Sequence, residues 1–476
     1  MRFQYVGFPS VLFFAVSVNA QTLPPAVAEA FAKVKVPLEN VAVLVKEVGA
    51  KDAALTFNAG KPMNPASVIK LVTTYAGLEL LGPTYTWKTE VYSAGEIRGT
   101  TLRGDLVLKG TGDPKLTGER LGAMVKQLQD RGLDDIQGDL ILDRSFFESS
   151  PHDEAAFDGE ALRAYNVGPD ALLLSFKTVR FTFAPTFNDK WVSISPDIKP
   201  AQLEIINHVK LVDGTCGEWR ERIVLGVQEI KPVRLRVTFT GTFPRSCADR
   251  VWNISLLDHA RFVGGVFANT WRAGGGKWEG AVKLLPTPSK AKLIASTESP
   301  PLADVVRDIN KFSNNVMARQ LFLTLSSEAW VGTIKEPGNA SRSSLLVKEW
   351  LAKKNIVAPE LVLDNGSGLS RSERISANTL AQMLDAAWRS SVMPEFVSSM
   401  PLLGLDGTMR KRNRGESIAG QAHVKTGTLN DTRAIAGYLL DQSGRRWIII
   451  MMVNHVNAVQ TQAAQDALFA WVFTRP

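Results

Sequence analysis

Pro62-Met63-Asn64-Pro65-Ala66-Ser67-Val68-Ile69-Lys70-Leu71-Val72-Thr73-Thr74-Tyr75-Ala76-Gly77-Leu78 is the stretch on which the reading of this chain turns. Prolines stop before Ser67 and a broad apolar face follows, so the spacing predicts a largely buried helix starting near Ser67. Residues i and i+3 share a helix face, so the Ser67 hydroxyl and the Lys70 amine can meet. A serine alcohol is a poor nucleophile until a base removes its proton. A lysine is such a base only when burial or a nearby cation lowers its pKa, and Val68, Ile69 and Leu71 supply apolar surroundings. At a helix start the Ser67 N–H is also free to face an oxyanion.

Two later motifs complete a set. Ser313-Asn314-Asn315 lies in a helical stretch running over Leu302–Leu325. Positions two apart do not share a helix face, so Ser313 and Asn315 converge only if a turn breaks that stretch. Lys425-Thr426-Gly427-Thr428 falls on a late strand. There a lysine and a hydroxyl can take a carboxylate, and Gly427 permits close approach to the backbone. Each motif alone is weak: Ser289-Lys290-Ala291-Lys292 and Ser376-Ala377-Asn378 repeat two of the patterns in other settings. Order and context carry the weight.

Working outward, Arg2 is the only charge ahead of Glu29, and an apolar run from Val6 ends in Val18-Asn19-Ala20. Residues 1–20 read as a secretory signal peptide, with an uncleaved anchor as the alternative. In an oxidising compartment Cys216 and Cys247 read as a disulfide worth roughly 3–4 kcal/mol in the chain-entropy model, against two buried free thiols. The chain has 476 residues, 45% hydrophobic and 21% charged, which suits a globular protein of several domains. Its five histidines form no close pair, so no metal site is expected. The net charge is +8. Its densest cluster, Arg410-Lys411-Arg412-Asn413-Arg414, has no interleaved aromatics, which argues against nucleic acid. A mildly basic exported protein is instead drawn to anionic polymers and, loosely, to the membrane surface.

Alternating apolar segments dominate from about 86 to 285, including 106–108, 139–142, 179–183, 191–194 and 235–239. Helical texture returns over 302–325, 343–353 and 379–389, followed by strands at 423–426, 434–440 and 447–453 and a last helix over 461–472. Helix-rich flanks around a strand-rich centre suggest one domain with a long insertion.

The S-x-x-K, S-x-N and K-T-G motifs resemble those of penicillin-recognising acyl-serine enzymes. Further segments narrow the likeness: Gly104–Pro114, Tyr165–Leu174, Asp364-Asn365-Gly366-Ser367-Gly368-Leu369-Ser370-Arg371 and Pro401–Thr408. Together they resemble the D-alanyl-D-alanine carboxypeptidase/endopeptidase family, the class C low-molecular-mass penicillin-binding proteins, over essentially the whole mature chain. Two departures are Asn365, where that family often has Gly, and Asn314, where it commonly has Asp. The resemblance implies an α/β (α+β) penicillin-binding/β-lactamase-like fold, an antiparallel sheet flanked by helices. It divides the chain into a peptidase domain over 21–85 and 286–476, an inserted domain over 86–177 and 251–285, and a nested β-rich domain over 178–250.

It also implies roles. Ser67 attacks the penultimate D-Ala carbonyl and Lys70 is the base. Ser313 relays a proton to the leaving amine, and Asn315 holds the substrate amide and orients Lys70. Lys425 and Thr426 bind the terminal carboxylate, beside Gly427, and the N–H groups of Ser67 and Thr428 form the oxyanion hole. Arg371 and Asn430 would lie near the stem-peptide pocket and Asp158, from the insertion, would contact a diamino-acid amine, with a plain salt bridge as the alternative for Arg371 and a solvated loop acid for Asp158. The implied partners are peptidoglycan stem peptides, with β-lactams as covalent inhibitors and no cofactor. The implied location is the periplasm. A β-lactamase or esterase on the same scaffold, or a non-catalytic wall-binding scaffold, are the competing functions.

Overall fold

The computed structural model describes residues 22–187, 190–230, 234–329 and 336–475; the expected signal peptide lies outside them. Its centre is a five-stranded antiparallel sheet in the order Ala422–Leu429, Thr432–Leu440, Arg446–Asn454, Val41–Glu47 and Leu55–Phe57. The run Trp447–Val453 is apolar throughout because both faces of this sheet are covered. Ile448, Ile450 and Met452 point into one core, together with Ala42 and Leu44. Trp447, Ile449, Met451 and Val453 point into the other, with Val41, Val43 and Val45. The first core is roofed by helices Lys70–Leu81, Leu302–Phe312, Asn315–Glu328, Ala340–Lys353 and Ala377–Trp388. The second is closed by the terminal helices Pro25–Lys33 and Gln462–Phe473. This is the expected penicillin-binding/β-lactamase-like architecture.

The inserted segment has a separate core. Its main sheet pairs Lys88–Arg98 with Thr101–Gly110 on one side and with Lys292–Glu298 on the other. That last strand, Lys292–Glu298, lies beyond the division expected at residue 285. Two helices were not foreseen in this strand-rich texture. Gly118–Asp130 opens on Thr117, whose side chain accepts the Arg120 N–H, and His259–Ala273 opens on Asp258, which accepts that of Arg261. Within the insertion lie two three-stranded sheets. Leu203–Val212 and Ile223–Ile230 flank Arg234–Pro244, and Arg250–Ile254 and Val192–Pro196 flank Val179–Pro185. A division at residue 250 therefore cuts into a strand. Cys216 and Cys247 are disulfide-bonded here.

The insertion is held to the helical layer by polar groups that could not be buried unpaired. Gln320, fully buried on the helix Asn315–Glu328, donates to the carbonyls of Gly112 (3.0 Å) and Asp170 (2.8 Å) and accepts the Asp170 N–H (2.8 Å).

The nested sheets meet in an aromatic cluster. Phe239 has ring centroids 5.0 Å from Phe181 and 5.3 Å from Phe183, both edge to face, and Trp219 packs beside Phe243 at 5.5 Å. Truncating a fully buried aromatic removes transfer energy and leaves a cavity. Phe239→Ala is therefore expected to destabilise the insertion by about 3–5 kcal/mol, read as an earlier transition in chemical denaturation followed by tryptophan fluorescence.

Candidate active site

The turn before the helix carries the nucleophile candidate. Residues Ala66–Ile69 form a 3₁₀ turn, and the α-helix begins only at Lys70. This sharpens the expected geometry, because side chains at i and i+3 eclipse in a 3₁₀ turn. Lys70 Nζ lies 2.9 Å from Ser67 Oγ. The turn is entered through Ala66 at φ 44°, a left-handed conformation that a residue with a Cβ adopts at a cost. Its hold is a side-chain lattice not foreseen from the sequence. Asn64 Oδ1 accepts the Ala66 N–H (2.9 Å), Asn454 Oδ1 accepts the Asn64 N–H (2.7 Å), and Asn454 Nδ2 donates back to the Asn64 carbonyl (3.0 Å). The last strand of the sheet thus fixes the turn that presents Ser67.

Two glycines make room for this turn. A Cβ on Gly427 would sit 2.5 Å from the Pro65 carbonyl oxygen and 3.0 Å from the Ser67 nitrogen. A Cβ on Gly368, at φ 83°, would sit 2.1 Å from the Ala66 carbonyl oxygen. Gly427 therefore admits the chain's own nucleophile turn, a tighter requirement than ligand approach alone.

The break in the second motif is where the chemistry needed it. Ser313 stands at φ 55°, ending the helix Leu302–Phe312, and Asn315 opens the next. Asn314 caps that second helix, its side chain accepting the Met317 N–H at 3.0 Å. Aspartate caps equally well, so Asn314 keeps the cap that an Asp would supply. The kink sends the flanking side chains to different partners. Asn315 Oδ1 accepts from Lys70 Nζ (2.7 Å), and Ser313 Oγ accepts from Lys425 Nζ (2.8 Å). Lys70 Nζ also donates to the Ser367 carbonyl. Lys425 Nζ reaches the Thr426 carbonyl at 2.7 Å, and the Thr426 hydroxyl lies 3.1 Å from that of Thr408.

Both amines are fully buried. Burial first, then the charges of Lys425 and Arg319, hold Lys70 well below the usual lysine range, while Glu373 opposes them. Burial brings Lys425 down to about 7. A neutral Lys70 at 2.9 Å can accept the Ser67 proton. A Lys425 that titrates near neutrality gains its charge when a carboxylate arrives beside it.

The remaining expected residues are exposed. Thr428 is exposed near the end of its strand, and Asn430 is exposed in the hairpin turn that follows. Arg371 pairs with Asp431 (3.2 Å) and lies over the Phe157 ring at 4.6 Å, so it bridges the hairpin turn and the insertion. Asp158 is exposed and is occupied by its own loop, accepting from Tyr165 Oη (2.8 Å) and Asn166 Nδ2 (2.7 Å).

Residues 23–474 match the D-Ala-D-Ala carboxypeptidase 3 (S13) family, and the chain belongs to it. It is 27% identical over 443 residues to the D-alanyl-D-alanine carboxypeptidase of Actinomadura sp. (strain R39), covering 90% of this chain and 80% of that one. It is 24% identical over 419 residues to the D-alanyl-D-alanine carboxypeptidase DacB of Haemophilus influenzae, covering 87% and 85%. The crystal structure of penicillin binding protein 4 (dacB) from Haemophilus influenzae superposes with a TM-score of 0.74 at 24% identity, over 93% of this chain and 99% of that one. The same protein complexed with a novel β-lactam gives 0.73 at 23% identity, over 94% and 99%.

Lys425 supplies a pH signature. Its amine binds a proton in the unfolded chain up to its ordinary pKa of 10.5 but in the folded chain only up to about 7. The unfolded state thus holds more protons between those values, and stability rises with pH across that window. Lys425→Met is expected to stabilise the fold near pH 7 by on the order of a few kcal/mol, with the gain shrinking toward pH 10. Denaturation midpoints of both proteins across that range check it.

Proposed function

We propose that this protein is an exported serine DD-peptidase. It hydrolyses D-Ala-D-Ala termini and D-Ala-linked cross-links of peptidoglycan through an acyl-serine intermediate, in the periplasm, and penicillin traps it. The observation that carries the reading is the convergence of Ser67, Lys70 and Asn315 at 2.7–2.9 Å, with the Lys425–Ser313 pair beside it. The relatives' names as D-alanyl-D-alanine carboxypeptidases support the substrate class.

Lys425 and Thr426 bind the terminal carboxylate. Lys70 takes the Ser67 proton as Oγ attacks the carbonyl of the penultimate D-Ala, and the N–H groups of Ser67 and Thr428 receive the oxyanion. Ser313, bonded to Lys425, relays to the departing amine the proton that Lys70 took from Ser67. Asn315 keeps Lys70 aimed and takes the substrate amide. Water then attacks the ester, and Lys70, neutral again once that proton has left with the amine, takes the water's proton and returns it to Ser67 Oγ as the acyl bond breaks. Arg371 and Asn430, at the hairpin turn, and Asp158 on the insertion face the stem peptide in this reading. A terminal D-Ala bond and a cross-link present the same carbonyl, so one site serves both.

The test is penicillin acylation of the mature protein, followed over time by intact-mass spectrometry beside Ser67→Ala. The expected result is a long-lived adduct on the wild type and none on the variant. An adduct that clears within seconds supports a β-lactamase instead. A folded protein that never forms one leaves a wall-binding scaffold. Muropeptide digestion then ranks the two peptidase activities.

A further inference from the structure

A fully buried carboxylate stands next to the proposed base and belongs to none of the three motifs. Glu373 follows Arg371 by two residues and is 0% exposed. Its Oε1 accepts the backbone N–H groups of Gly366 (2.8 Å) and Asn365 (3.1 Å), with that of Asp364 at 3.4 Å. Successive amides curled around one oxygen form an anion-holding nest. That nest is the loop whose next residue, Ser367, offers its carbonyl to Lys70 Nζ. The same loop is tied from the helix side by an uncharged bond, Thr73 Oγ1 to the Gly366 carbonyl at 2.7 Å. The second oxygen, Oε2, has no hydrogen-bond partner among the described residues; burial raises the carboxyl's pKa, and the amides of Asn365, Gly366 and Asp364 at Oε1 oppose that and favour the charged form.

We infer that Glu373 is a positioning residue for Lys70, folding the 364–367 turn that presents the Ser367 carbonyl to the amine and facing that amine with a buried negative charge. The charged groups that face Glu373 or its target are few: Lys70 on its own helix, Arg319 on the helix Asn315–Glu328, Asp364 at the start of the turn, and Lys425, which faces Lys70 from its strand. Burial, Lys425 and Arg319 all push Lys70 down, and Glu373 pushes it back. A base driven too far down is unprotonated but too weak to remove an alcohol proton. Glu373 thus returns basicity to Lys70 that the desolvated site takes away. The inference rests on the reading of Lys70 as the base.

The experiment is the pH dependence of the second-order rate constant for penicillin acylation, in wild type, Glu373→Gln, Glu373→Asn and Thr73→Val. The acid limb of this profile reports Lys70 losing its proton. Glutamine keeps an oxygen for the amide nest and drops the charge. The expected result is an acid limb moved to lower pH by about one unit, with the plateau rate reduced about 3- to 10-fold by the weaker base. Thr73→Val loosens the same loop without touching charge, so its plateau falls while its limb stays in place. An unmoved limb in folded Glu373→Gln or Glu373→Asn, or a limb moved equally by Thr73→Val, overturns the inference. Failure of both Glu373 variants to fold also overturns it, making the residue a determinant of the fold. If the wild type itself is never acylated, the proposed function falls. If it is acylated and the limb does not move, only the role of Glu373 falls.

Discussion

The burial of the Lys70 amine is the constraint from which the rest of the site follows. An ammonium taken out of water without partners costs several kcal/mol, and an amine held in such a place responds by giving up its proton. Each hydrogen-bond partner of Lys70 Nζ is suited to that condition. Ser67 Oγ, Asn315 Oδ1 and the Ser367 carbonyl are neutral oxygens that satisfy the amine without restoring a full counter-charge. They come from the 3₁₀ turn, the start of a helix far along the chain, and the loop 364–368. The site therefore exists only when those elements are packed together. The second amine, Lys425, joins the arrangement through Ser313 and Thr426. Both lysines are buried, and the charge of Lys425 lowers the pKa of Lys70.

Backbone strain appears where these elements are joined. Ala66 and Ser313 both sit at positive φ, one before the serine turn and one between two helices. Each costs of order 1–3 kcal/mol, and such residues persist only where their surroundings over-determine them. At Ala66 the surroundings are the paired side chains of Asn64 and Asn454 and the bare backbones of Gly368 and Gly427. At Ser313 they are the hydrogen bond to Lys425 and the Asn314 cap. Strain at both positions aims side chains that ordinary helix geometry would send elsewhere.

Much of the central layer was legible because its physics is local. The unbroken apolar run 447–453 marks a strand buried on both faces, and Ser67 to Lys70 marks one face of a turn of helix. The need for a break at Ser313 followed from helix periodicity alone. The helices 118–130 and 259–273 were missed although Thr117 and Asp258 are ordinary caps, because flanking strand patterns dominated the segment. Leu121, Met124, Val125 and Leu128 carry the helical spacing that would have shown the first. The supporting side chains were not legible at all. Nothing local distinguishes Asn64, Asn454 or Glu373 from other polar residues of loops and strand ends, since their work depends on contacts with segments distant in sequence. The bonds that Asp158 accepts from Tyr165 and Asn166 were likewise not legible.

The pairing of Val41 with Val453, and of every residue between Val41 and Glu47 with the strand running back to Trp447, joins the two ends of the chain in the middle of the sheet. A nascent or threading chain therefore displays the serine turn and its helix long before their platform exists. Contacts of such long sequence separation form late, since loop closure must precede any reward from pairing. The insertion has its own core and most of its contacts are internal, so it can condense while the flanks wait. The buried pair of Lys70 and Lys425 is thus brought together only once the late strands have docked.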